Sequence, residues 1–575
     1  MNGNANNGLS RRGFLGMAGI AGAAAALGIA GCAPNASESV KPDNEAENGT
    51  ENDWLGTAPD IAESDIVETR ETDLLIVGAG NGGMVAAATA TDEGLDFIIC
   101  ERNDHVQKTR DWIGAVDTSQ QKEADVHIDH LELINELARY ASYKCDMNVW
   151  RVWADESADT MAYLDSVLSS VPEFGITASL DTVNFDKQTK YTPIIQHMYL
   201  QDPSNCLSSP EMKRNEALES YIASKGKQVT YKHTLVKLER ESEGAGRVTG
   251  AIFETDNGYV RINGKKGVLL ATGGYAGNPV MTEALAPIVS QCTTRANNTS
   301  SCDGSGIKAA MWIGAKKDQQ PAPMLFARGL VAPGVNAGYE GEGMDAVFPG
   351  TVHQFNLGTQ PFMKVDRNGK RFINESTPYE AVCFAAADHP GGVWCEIWDS
   401  NAEKDIERFA TVGCSKVTAH LLASTGKTLE ELNAEHIENG LVFKADTIDE
   451  LADLLGFEGE AKTNFLAQVD RYNELFDMQS DEDYGKEAFR LSELRTPPFW
   501  GAWNGACYLT TVDGLKINAD MQVLDQEGSV IDGLYAAGDC SGSLFADNYP
   551  EYMIGCACGR TLTFSRHVAK KIASE

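Results

Sequence analysis

Asp73-Leu-Leu-Ile-Val-Gly-Ala-Gly-Asn-Gly-Gly-Met-Val-Ala-Ala-Ala88, closed by Phe97-Ile-Ile-Cys-Glu101, orders a buried strand, a Gly-rich turn, a helix and a second strand. In that order the pattern predicts a dinucleotide-binding unit. Gly78 permits the tight turn, Gly80 lets the backbone approach a pyrophosphate, and Gly83 allows close helix–strand packing. The helix that follows aims the positive end of its dipole at the phosphates. Glu101 ends the second strand twenty-three positions after Gly78, where a carboxylate can accept from both ribose hydroxyls. A Gly-x-Gly-x-x-Gly alone is also compatible with an ordinary turn; here the flanking strands and the acid fall where the mechanism needs them.

Upstream, residues 1–32 read as an address and not as part of the fold. Ser10-Arg11-Arg12-Gly13-Phe14-Leu15 is a twin-arginine pattern, followed by an Ala/Gly-rich apolar run from Phe14 to Ala30. That run suits a signal segment better than a spanning helix. It ends at Ile29-Ala30-Gly31-Cys32, similar to a bacterial lipobox in which Cys32 is lipidated; an uncleaved anchor or ordinary cleavage near the same place is the alternative. Each version predicts an extracytoplasmic protein. Twin-arginine export carries folded proteins, which independently points to a cofactor loaded before export.

Residues 33–70 carry ten acidic and two basic residues with little apolar content, so a solvated, disordered tether is expected there. From about Glu71 to Glu575 the chain is long enough for two domains and has a globular balance of residues. With 48 basic against 83 acidic residues the formal charge is −35, which argues against nucleic acid as a partner and favours a basic one.

The thirteen cysteines show no Cys-x-x-Cys, no Cys-x-x-Cys-His and no ferredoxin-like run, so neither attached haem nor a metal cluster is predicted. Cys556 and Cys558 form the closest pair, in an apolar helix-like stretch, and read as small packed residues.

More nucleotide machinery lies downstream. A short β-like segment, Gln228 to His233, precedes Val236, and after a hairpin-like stretch Lys266-Gly-Val-Leu-Leu-Ala-Thr-Gly-Gly-Tyr275 empties a buried strand into Thr272-Gly273-Gly274. Cys302-Asp-Gly-Ser-Gly-Ile307 opens another helix. Val530-Ile-Asp-Gly-Leu-Tyr-Ala-Ala-Gly-Asp539 is a strand leading to a Gly-Asp turn, with a helix starting near Ile554. Each could be plain turn chemistry; together they fit FAD.

These residues resemble the flavoprotein subunits of fumarate reductases and succinate dehydrogenases, with their relatives the urocanate reductases and 3-ketosteroid dehydrogenases. The likeness rests on the first Gly motif with Glu101, Ala271-Thr-Gly-Gly274, the Asp303-Gly304 turn, Gly369-Lys-Arg-Phe-Ile-Asn-Glu375 and Tyr535-Ala-Ala-Gly-Asp539. It implies an α/β fold, α+β overall: a Rossmann-like FAD-binding domain at 71–315 and 490–575, with an inserted α+β capping domain at 316–489. The implied FAD contacts are Gly78, Ala79, Gly80, Gly83, Met84, Glu101, Arg102, Val236, Ala271, Thr272, Gly273, Gly274, Asp303, Gly538, Asp539 and Ile554.

Departures from the fumarate reductase pattern bear on the substrate. Tyr379 stands where that family's proton-donating arginine falls, Tyr549 stands where a carboxylate-binding arginine is expected, and Thr510-Thr-Val-Asp-Gly514 replaces the His-Thr-x-Gly-Gly element. A dicarboxylate would leave its charges unpaired in such a site, at a cost of several kcal/mol. The replacements are similar to those of 3-ketosteroid dehydrogenases: Asn374-Glu-Ser-Thr-Pro-Tyr379 matches a segment supplying a proton-handling tyrosine, and Tyr549-Pro550 matches half of a segment whose tyrosine binds the ketone oxygen. The glycine whose amide would make the second carbonyl contact is Met553 here.

The chemistry holds without the analogy. Hydride from a reduced flavin adds to an alkene only if the displaced electron pair is stabilised, and a phenol bonded to a conjugated carbonyl does this while a second phenol protonates the α-carbon. One phenol needs a neighbour that tunes its acidity; His353, Glu375 and Glu380 are the candidates. The sequence therefore predicts an exported FAD-dependent ene-reductase or dehydrogenase with an apolar, enone-like substrate and a separate membrane-linked electron donor, a cytochrome or quinol dehydrogenase. The alternatives are a reductase of a monocarboxylic acrylate, with an arginine such as Arg328 binding the acid, and a flavin-bearing electron-transfer lipoprotein without turnover.

Overall fold

A computed structural model describes residues 54–182, 190–201, 213–242, 244–297, 301–350 and 354–575. The twin-arginine motif, Cys32 and His353 lie outside the described residues. Residues 54–575 form one compact unit.

Its frame is a sheet of eight strands. In spatial order they are Gln522–Leu524, Val530–Ala536, Gly258–Leu270, Ile66–Val77, Phe97–Cys100 and Val229–Thr230; Ala245–Thr255 joins Gly258–Leu270 antiparallel, and Thr234–Ser242 joins Ala245–Thr255. Leu74, Leu75 and Ile76 are fully buried, as an apolar run without alternation requires in a parallel sheet covered on both faces. The parallel register pairs Val77 with both Cys100 and Leu270, and Leu270 with Ala536. Four chain segments thus leave the sheet at one edge, and the residues that follow them are Gly78, Glu101, Ala271 and Ala537. This is the carboxyl edge at which open α/β sheets bind ligands.

The helix Asn81–Asp92 crosses from the first strand to the second and packs against the last helix, Cys556–Ser574. Small residues make that contact possible: a Cβ on Gly82 would lie 2.7 Å from the Ser565 hydroxyl. Cys556 is buried and the Cys558 thiol donates to the Arg110 carbonyl at 3.2 Å. Among the described residues no cluster of His, Cys, Asp or Glu is arranged to hold a metal ion, and no helix is long and apolar enough to cross a membrane.

A six-stranded sheet is the second large element. Phe499–Thr511 is its hub, parallel to Thr293–Ala296 and antiparallel to Pro323–Val331, Trp394–Trp398 and Val442–Ala445, with Met363–Val365 beyond Trp394–Trp398. These strands come from both sides of residues 316 and 490.

The fold also starts earlier than the acidic composition predicts. Within 33–70, the first strand begins at Ile66, Trp54 is buried, and Arg261 bonds Glu63. A few apolar residues and one strand partner suffice to fix a segment whose average composition reads as a tether.

Candidate active site

The Gly-rich turn is built as its spacing requires. Gly78 has φ +103°, in the region open to glycine, and a Cβ on Gly83 would overlap the Gly78 carbonyl. Gly80 differs from both: an added Cβ would find no protein atom nearer than 3.9 Å. Packing within the protein does not explain a bare backbone at Gly80, whereas close approach of a ligand does. Gly80 also begins the helix Asn81–Asp92 without a side-chain cap, so the first-turn amides face that opening. Ala79 and Met84 are fully buried on either side of it.

Glu101 holds the turn from the next strand. Its Oε2 accepts from the Ala79 amide at 2.8 Å, and its Oε1 accepts from the Asn103 amide and side chain and from Gln107. The carboxylate is therefore both a ribose-facing acceptor by position and a clasp for the turn. Arg102 pairs with Asp303, which also accepts from the amide of Ser305, the first residue of the helix Ser305–Trp312. Two residues predicted separately as cofactor contacts are thus one ion pair spanning the edge. Val236 lies in the strand Thr234–Ser242, half-buried.

Ala271, Thr272, Gly273 and Gly274 follow the strand Gly258–Leu270. Gly273 takes φ +74°, and a Cβ on Gly274 would collide with the Thr511 hydroxyl. That hydroxyl accepts from the Tyr275 amide at 3.0 Å, while Thr510 donates to Asp539 at 2.9 Å. The end of the six-stranded sheet's hub strand is thereby bonded to two predicted cofactor loops. Arg560, on the last helix, donates to the Gly538 carbonyl and lies 3.4 Å from Asp539. The open cradle at Gly80, the uncapped helix and the clasped Glu101 fit FAD.

The two tyrosines sit on different segments brought together. Tyr379 is 5% exposed, begins the helix Tyr379–Ala386, and sets its ring edge-to-face against Phe326 at 5.0 Å. Tyr549 is 7% exposed and lies in the loop before the last helix. Its hydroxyl accepts from the Ala557 amide at 3.3 Å, in the first turn of that helix and next to Ile554 and Gly555, the N-cap at φ +86°. The Tyr549 hydroxyl thus meets a helix N-terminus, a neighbour that sequence reasoning missed because it looked for side chains to tune a phenol.

The side chains offered for that task do other work. Glu375 bonds Arg371, which also bonds Asp481; burial alone would raise Glu375, but Arg371 and Lys486 outweigh it and hold the carboxyl down to about 2. Glu380 accepts from the Tyr549 amide at 2.8 Å. Burial raises Glu380 well above the usual carboxylate range. Glu551, two residues after Tyr549, bonds the Tyr379 amide and is pushed up to about 8 by burial. The Met553 amide, where the family pattern has a second carbonyl donor, donates to the Pro550 carbonyl at 2.9 Å.

Arginines are present nearby. Arg295 lies 3.2 Å from the Cys507 thiol, whose pKa burial raises while Arg295, Arg328 and Arg110 pull it down. Arg328 donates to Gln354 at 3.0 Å, and Arg110 to the Leu509 carbonyl at 3.1 Å.

Known proteins match this chain as follows. A family model described as FAD binding domain matches residues 73–552. The vinyl phenol reductase of Lactiplantibacillus plantarum is 25% identical over 520 residues, covering 87% of this chain and 96% of that protein. The NADH:acrylate oxidoreductase of Vibrio harveyi is 22% identical over 521 residues, 83% of this chain but 48% of that protein. Among solved structures, the 3-ketosteroid delta1-dehydrogenase of Sterolibacterium denitrificans is alike in fold, with a TM-score of 0.65 at 18% identity over 88% of this chain and 100% of that one.

Proposed function

The chain belongs to the FAD binding domain family and is an FAD-dependent oxidoreductase, and from this we propose that it reduces, or in reverse forms, a carbonyl-activated carbon–carbon double bond in a largely apolar, enone-like molecule. Bound FAD supplies the hydride chemistry.

The protein's part is to hold the substrate oxygen and move a proton. Tyr549 donates its hydroxyl proton in a hydrogen bond to the substrate oxygen while its own oxygen accepts from Ala557. The N-terminus of the helix Cys556–Ser574 favours negative charge there, so the bond strengthens as the substrate oxygen becomes an oxyanion. Tyr379 delivers a proton to the α-carbon. The apolar surroundings of both phenols, Phe326 and Phe545 among them, exclude water and suit an apolar substrate. The observation that carries this reading is the Tyr549–Ala557 bond. The vinyl phenol reductase supports the coarser reading, reduction of a carbon–carbon double bond, since a vinyl phenol by its name has an alkene on an aromatic ring.

One observation favours a second reading, reduction of a single-carboxylate acrylate: Arg295 lies 3.2 Å from the buried Cys507 thiol, and Arg110 donates to the Leu509 carbonyl on the same strand. Guanidinium groups along this strand suit a carboxylate. Steady-state reduction of enones against acrylates by the FAD-loaded enzyme, with a reduced low-potential dye as donor, separates the two. Preference for enones is expected. Turnover of acrylates alone would overturn the first reading.

The proposal extends to the cell. The Arg11-Arg12 motif and Cys32 support an exported, lipid-anchored enzyme. A separate membrane-linked cytochrome or quinol dehydrogenase then exchanges electrons with it.

A further inference from the structure

The amides of the two tyrosines are bonded crosswise. Tyr379 starts its helix with no side-chain cap from its own segment, Pro378 being the N-cap. Its amide is one of the donors that a helix start leaves without an intrahelical partner. Glu551 supplies the acceptor, with Oε2 at 2.8 Å, from 172 positions away. In the opposite direction Glu380, the residue after Tyr379, accepts from the Tyr549 amide through Oε2 at 2.8 Å. The second oxygen of Glu380 accepts from the Leu325 amide at 3.3 Å, and Leu325 precedes Phe326, on whose ring Tyr379 rests. The second oxygen of Glu551 lies 3.5 Å from the Ser415 hydroxyl. Glu380 is 3% exposed and Glu551 4%, so water does not compete for these bonds.

We propose that Glu380 and Glu551 are positioning residues which form a reciprocal brace, each carboxyl holding the main chain of the tyrosine on the opposite segment and so fixing the separation of the two phenols. The proposal rests on the tyrosine reading above. Neither carboxyl needs to touch substrate. Its action passes through the backbone, where a displacement of about 1 Å at a catalytic group can cost about a hundred-fold in rate. Ordinary packing of a buried glutamate does not predict the crossed pattern, because a carboxyl retained only to fill space needs no bond to the catalytic partner's amide.

The brace makes the acceptor oxygen, and not the acid proton or the charge, the functional part of each side chain. Glutamine keeps that oxygen and alanine removes it. In the full FAD-loaded enzyme with an enone and reduced dye, Glu551→Ala and Glu380→Ala are expected to lower kcat by roughly ten- to a hundred-fold, with KM and flavin stoichiometry little changed. Glu551→Gln and Glu380→Gln should restore most of that loss. In a Tyr549→Phe background, Glu380→Ala should cost much less than it does alone, because the residue it positions has already lost its hydroxyl.

Wild-type kcat in both alanine variants, equal losses in the glutamine and alanine variants, or additive losses in the Tyr549→Phe background would each overturn the brace. If Glu551→Ala fails to fold, the Glu380 pair and the double-variant cycle decide; if Glu380→Ala fails, the Glu551 pair decides. Failure of the tyrosine reading looks different: Tyr379→Phe and Tyr549→Phe would then keep near wild-type rates, whatever the glutamate variants do.

Discussion

A tyrosine hydroxyl in water is a poor acid, with a pKa near 10, and the Tyr549 oxygen accepts a bond from the Ala557 amide at a helix start. Removing the hydroxyl with Tyr549→Phe takes away a donor to a developing oxyanion, a change that costs about 2.7–4 kcal/mol, or roughly a hundred- to a thousand-fold in kcat. KM should move much less, which steady-state kinetics with an enone would read. Tyr379→Phe should block overall reduction while FAD and substrate still bind. Glu551 gives a prediction in pH. Its carboxyl is raised to about 8 by burial, against the pull of Arg490, Lys190 and the Tyr379 amide, with Tyr140, Tyr552 and Glu380 also near it. The folded protein therefore keeps a proton that the unfolded chain releases near its ordinary value of 4.5. Its contribution to stability is full below that value and is lost as pH rises through about 8. Glu551→Gln should flatten this part of the pH dependence of Tm, and an unchanged slope would count against it. Both tyrosines were legible in the sequence only through family resemblance, by their place in Asn374–Tyr379 and Tyr549–Pro550. The groups that act on them were not, because an amide eight residues on and a carboxyl 172 residues away leave no local pattern.

At the scale of elements, the nucleotide edge was the most readable part. A parallel strand buried on both faces must be an unbroken apolar run, and a turn at its end must be glycine, so Leu74–Gly78 and Leu269–Gly274 announce themselves. Gly83→Ala tests the closest of these contacts: its methyl would overlap the Gly78 carbonyl, and the turn must shift to admit it. Loss of bound flavin and a lower Tm are expected, whereas Gly80→Ala, with space around its Cβ, should lose flavin with little change in the Tm of the apoprotein. Glu101→Ala should release FAD and also loosen the turn, since the Ala79, Asn103 and Gln107 donors lose their acceptor; each one left buried and unmet costs about 1–3 kcal/mol. Flavin retained at the wild-type level would argue against both roles. The six-stranded sheet was not legible in the same way. Its hub strand pairs with segments up to about two hundred residues away, and such pairing is set by tertiary packing that no short window contains.

Over the whole molecule, a formal charge of −35 sets the terms of any encounter with an electron-transfer protein. Attraction to a basic partner speeds association and is screened by salt, so electron delivery by a cationic donor should slow markedly between low and physiological ionic strength. Rapid turnover with NADH alone would remove the need for such a partner. Cys32→Ala should release the protein from the membrane fraction, and full retention would exclude a lipid anchor. The strand Phe499–Thr511 has one more consequence. It is the hub of one sheet, and its last two residues are bonded to Tyr275 and Asp539 at the nucleotide edge of the other. Mechanically it is a tie rod: the second sheet cannot swing away as a block without first snapping those end bonds. Any opening that keeps those bonds must come from lighter parts. Hydrogen exchange would register this as protection at Leu509 and Thr510 as slow as that at Val77, falling at both places together when FAD is removed.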